Sequence, residues 1–103
     1  MRYQLVLQFP FAAPADYDCL IELAASLEEV LAPSAFIDGH DAGSGEMNIF
    51  IHTDSPEETF RLSRTVMEER SRLGKMAAGY RPFEANDYVR LWPPGETATF
   101  TVA

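Results

Sequence analysis

Residues 35–53 read Ala35-Phe36-Ile37-Asp38-Gly39-His40-Asp41-Ala42-Gly43-Ser44-Gly45-Glu46-Met47-Asn48-Ile49-Phe50-Ile51-His52-Thr53. Two alternating runs, Ala35 to His40 and Glu46 to Thr53, flank the glycine-rich segment from Asp41 to Gly45. Alternation on both sides of a Gly-containing loop predicts an antiparallel hairpin. If His40 faces Glu46, then Ala35 and Ile37 share a surface with Met47, Ile49 and Ile51. Phe36, Asp38 and His40 share the other with Asn48, Phe50 and His52, and Phe36 lies across from Phe50. A loop of even length would break this match, because a slip of one residue sends a strand's whole apolar set to the wrong side.

Working outward, Arg2 to Phe9 alternates as a strand, with Tyr3, Leu5, Leu7 and Phe9 on one side and Arg2, Gln4, Val6 and Gln8 on the other. Between this strand and the hairpin, Tyr17, Leu20, Ile21, Ala24, Leu27 and Leu31 recur at helical spacing, with Asp16 as N-cap and Pro33 as the stop. After the hairpin, Ser55-Pro56-Glu57-Glu58 predicts a helix start with a Ser cap, Pro in the first turn and a Glu closing a capping box. Its stripe of Phe60, Val66, Met67, Leu73 and Ala77 predicts a helix to about Met76 that ends near Gly79. Glu57/Arg61 and Glu68/Arg72 are spaced as ion pairs on its wet side. Asp87 to Trp92 reads as a fourth strand, with Val89 and Leu91 toward the helices. The tail alternates again from Thr97 to Val102.

Strand–helix–strand–strand–helix–strand is the ferredoxin-like βαββαβ pattern of the α+β class: a four-stranded antiparallel sheet with two helices on one face. Right-handed crossovers place both helices on the same side. The chain of 103 residues is expected to form one domain, residues 1–103, with 93–103 as a C-terminal arm or an extra edge strand. The architecture names no family, and this fold hosts many unrelated functions.

Eight basic residues against sixteen acidic ones give a formal charge of −8. Phosphate backbones recruit Lys/Arg surfaces, so nucleic acid is not an expected partner. An anionic membrane surface is disfavoured for the same reason. The charge suits solubility or a basic protein partner. The single cysteine, Cys19, excludes an intrachain disulfide and reads as a small hydrophobe on a helix. The opening residues alternate in polarity and lack the apolar run of a signal peptide, and no stretch approaches the ~18 apolar residues of a membrane span. The expected compartment is the cytoplasm.

With helices on one face, the other face carries Phe36, Asn48, Phe50, His52, Tyr88, Arg90 and Trp92, the candidate binding residues. A solvated sheet face is ordinarily polar. Contiguous exposed aromatic area marks an interaction surface. A second copy of the chain, the chain's own tail or a ligand is expected to cover it.

His40, Asp41 and His52 invite a metal reading. In the register above, the histidines stand roughly 20 Å apart along the strands, so no metal site is expected within one chain. The Gly39–Gly45 segment has no phosphate-loop lysine and joins two strands instead of opening a helix. Carboxylate pairs such as Asp38 with Glu46 are common by chance in so acidic a chain, and no catalytic residue or cofactor is assigned. The third strand also lacks the basic-glycine-aromatic signature of an RNA recognition module. The leading expectation is a small acidic binding or regulatory module that acts as a homodimer through the open sheet face. The alternative is a small dimeric α+β barrel enzyme acting on a small hydrophobic substrate, with Asn48, His52, Arg90 and Trp92 lining its pocket.

Overall fold

The computed structural model describes residues 1–70, 76–95 and 99–102. Along the chain come β1 (Tyr3–Pro10), α1 (Pro14–Leu31), β2 (Ala35–Gly43), β3 (Glu46–Thr53), α2 (Pro56–Glu69), β4 (Ala77–Pro82) and β5 (Val89–Trp92). They form one five-stranded sheet in the order β2-β3-β1-β4-β5, antiparallel at every junction. The first four strands have the ferredoxin-like order, and a fifth is added at the β4 edge. Among the described residues no helix is long and apolar enough to cross a membrane.

The added strand is the segment that reads from sequence as strand four. The strand beside β1 is instead Ala77–Pro82, where the sequence predicts the end of the second helix. That helix stops at Glu69. Leu73 and Arg72, expected on it, lie outside the described residues, and Ala77 belongs to β4. Gly79, expected as a helix terminator, is a strand residue opposite Val6.

The core lies between the helices and one sheet face. Leu5, Leu7 and Phe9 of β1 meet Met47, Ile49 and Ile51 of β3 there, under Leu20, Leu23, Leu27 and Leu31 of α1 and Phe60, Val66 and Met67 of α2. Tyr17 and Ile21, expected in the α1 stripe, are exposed, and Leu23 takes their place. Cys19 is half-buried.

Both helix starts differ in chemistry from the expectation. Ala13 is the α1 N-cap, and Asp16 sits in the first turn. Its Oδ2 accepts hydrogen bonds from the backbone N–H groups of Ala12 and Ala13, both at 2.9 Å, the reach-back half of a capping box. Ser55 is the α2 N-cap with Pro56 in the first turn, but its hydroxyl makes no capping bond. Thr53 shapes this junction. Its Oγ1 accepts the Ser55 N–H at 3.0 Å and lies 2.7 Å from Thr59 Oγ1.

Two bulges decide which side chains face where. The β2–β3 hairpin closes through Ser44-Gly45 alone, with φ of 54° and 80°. Positive φ at both positions of a two-residue turn matches strand twist. This even loop would put Ile37 on the surface of His52. A shift between Ile37 and Gly39 adds Asp38 as the extra residue and sets Phe36 opposite His52 and Ile37 opposite Ile51, which returns both to their expected faces with different partners. The second shift lies between β4 and β5, where Ala78 faces Trp92 and Gly79 faces Arg90, leaving Leu91 as the extra residue.

Candidate functional site

The open sheet face is organised in three cross-strand rows. The first runs Phe36, His52, Gln4, Arg81. His52 lies edge-on to the rings of Phe36 and Phe83, with centroids 4.9 and 4.8 Å away. Its Nε2 is 3.3 Å from Asp38 Oδ2. Asp38 is the bulge residue, so the irregularity that restores the strand register also supplies the histidine's carboxylate partner. At the other end of this row, Tyr88 donates its hydroxyl to Gln4 Oε1 at 3.1 Å, and its ring lies 5.8 Å below the Arg81 guanidinium.

The middle row runs Gly39, Phe50, Val6, Gly79, Arg90. Val6 is fully buried although it points away from the helices, because Phe100 closes over this row at 3% exposure. A β-carbon built on Gly79 would meet the Phe100 ring at 2.6–3.0 Å. Glycine inside a strand marks such a close approach. Tyr88 packs edge-on against Phe100 at 5.3 Å, and the Arg90 guanidinium lies 5.5 Å from the same ring.

The third row is polar. Asn48 Nδ2 donates to Asp41 Oδ1 at 2.9 Å, while Gln8 Nε2 donates to Asn48 Oδ1 at 3.2 Å and to the Thr101 carbonyl at 2.9 Å. Asn48, at 2% exposure, is a buried member of this row.

The tail therefore covers the part of the face over β1 and β4. Phe36 (47%) and Phe83 (39%) stay exposed, with Phe50 and His52 half-buried beside them. Of the seven candidate residues, the structure gathers Phe36, Phe50 and His52 on the uncovered part. Tyr88 and Arg90 lie under the tail, and Asn48 is in the polar row.

Trp92 is not on this face. The β5 bulge turns it to the helix side, where its ring lies 6.0 Å from Phe60 and the Arg64 guanidinium carbon 4.8 Å from its centroid. His40 is turned likewise: it faces Ile49 and packs edge-on against Tyr17 of α1 at 5.8 Å. Phe36 lies across from His52, not Phe50. The histidines stand three residues apart in register, roughly 10 Å, and point to opposite faces. Among the described residues no group of three or more His, Cys, Asp or Glu side chains is arranged to hold a metal ion.

Sequence reasoning missed Phe83, which sits in a loop with no periodicity to flag it, and the partnership of Asp38 with His52. Phe100 stood out only as one apolar residue of an alternating tail. No family model, curated protein or solved structure matches the chain.

Proposed function

We propose that the chain is a small acidic binding module of the cytoplasm that acts as a homodimer through its open sheet face. The observation that carries this reading is the run Phe36–His52–Phe83, with two rings exposed on a face whose other part is already sealed by the tail. Exposed apolar area of this kind, bordered by polar side chains such as Asp38 and Gln4, is the usual make-up of an interface centre and its rim. The acidic charge leaves room for a basic protein as a further partner.

The dimeric barrel enzyme is the second reading, and the geometry favours it less. His52 is engaged by Asp38 and two rings, Arg90 donates to the Trp92 carbonyl at 3.3 Å, and Trp92 faces α2. These residues do not converge on one enclosed space as a substrate pocket requires.

The experiment is Phe36→Glu, measured by light scattering and circular dichroism. Phe36 lies outside the helix-side core, so the variant folds; a charge placed at the centre of the pairing surface is costly to desolvate. The expected result is a folded monomer from a dimeric wild type. A wild type that stays monomeric at high concentration overturns the proposal.

A further inference from the structure

On the opposite side of the sheet, a cleft of about 250 Å³ opens between α2 and β5, lined by Phe60, Leu91 and Trp92 together with Glu57, Arg61 and Arg64. In its apolar floor Phe60 is 6% exposed and packs against the indole. Two guanidinium groups in one cleft are notable in a chain of charge −8. Arg61 is committed to Glu58, donating from Nε at 2.9 Å; that hydrogen bond holds the Glu58 carboxyl below its usual range and the Arg61 guanidinium above its own. Arg64 is differently placed. Its Nε is covered by protein, but the side chain as a whole is 41% exposed, and Nη2 lies 3.8 Å from Glu68 Oε1, a loose ion pair beyond hydrogen-bond distance.

We propose that this cleft binds a small organic monocarboxylate with a flat apolar body, its carboxylate on Arg64 and its body against Phe60, Leu91 and Trp92. A carboxylate in the cleft would meet the terminal nitrogens of Arg64, in the planar geometry a guanidinium matches. Glu57 on the rim disfavours a second negative charge, which selects a monoanion over a phosphate ester. The site is independent of the sheet face on which the homodimer reading rests.

Trp92 is the chain's single tryptophan, so intrinsic fluorescence reports on the cleft directly. The wild-type protein is titrated with sodium phenylacetate and, separately, with phenylacetamide, which has the same shape and no charge. Phenylacetate is expected to give a saturable change, with the amide about tenfold weaker, the factor one charge-assisted hydrogen bond supplies. Arg64→Met keeps much of the side chain's apolar stem, and it is expected to abolish the preference for the acid with the circular dichroism spectrum unchanged. Equal binding of acid and amide by the wild type, no saturable signal from either, or a folded Arg64→Met variant that still prefers the acid overturns the proposal. Should that variant not fold, the wild-type comparison decides alone.

Discussion

The ring of Phe100 rests on the backbone of Gly79, so close that a β-carbon there would lie 2.6 Å from the ring's Cδ1. This contact joins the tail to β4 and explains why a strand next to the sheet's centre contains a residue with weak strand preference.

Gly79→Ala is therefore expected to destabilise the protein by about 1–3 kcal/mol, the cost of overpacking a filled space. In a Phe100→Ala background the obstacle is gone, and the same substitution is expected to be neutral or slightly stabilising, since alanine narrows the unfolded ensemble. Urea melts of the four proteins of this cycle read the change of sign. A Gly79→Ala cost that is the same in both backgrounds would separate Gly79 from the tail.

The polar row makes a second prediction. Ile49 is fully buried in the core, and Ile49→Ala is expected to cost about 2–5 kcal/mol. Asn48 points the other way, and the sequence alone suggests a small cost for removing it. Asn48 itself is buried and hydrogen-bonds to both Asp41 and Gln8, so Asn48→Ala removes two hydrogen bonds and is expected to cost about 1–3 kcal/mol. Equilibrium unfolding measures both. An Asn48→Ala protein as stable as the wild type would mean that the row is not formed.

At the start of α2, the residue to remove is Thr53. Its hydroxyl serves the Ser55 N–H and Thr59 from a position 1% exposed. Thr53→Val keeps the shape and is expected to cost about 1–3 kcal/mol. Ser55→Ala removes a hydroxyl without a capping bond and is expected to leave the denaturation midpoint nearly unchanged, although the sequence around Ser55 reads as a capping box. If Ser55→Ala proved the costlier of the two, the helix would be capped by its serine after all.

Strict alternation made β1 and β3 legible, together with the surface on which Ile49 and Ile51 lie, because both strands run unbroken and are half covered by helices. What could not be read is β4. Ala77-Ala78-Gly79 carries little strand preference, and Gly79 answers to a ring 21 positions away in sequence. The face was legible, but not the tail that covers part of it. Phe36, Asn48, Phe50, His52, Tyr88 and Arg90 fall on the expected face, whereas His40 and Trp92 do not. Each of those two lies beyond a single extra residue, Asp38 or Leu91. A bulge of that kind leaves the apolar–polar alternation on either side intact and so gives no periodic signal of its own.

Both extra residues sit on the outermost strands, β2 and β5. A margin kinked in this way is a poor template for a neighbouring chain seeking to lengthen the sheet by backbone pairing. Growth along the sheet would be open-ended, ending in fibres, whereas two broad faces meeting across a two-fold axis close after two copies. The kinked margins thus guard an acidic chain with exposed rings against endless polymerisation.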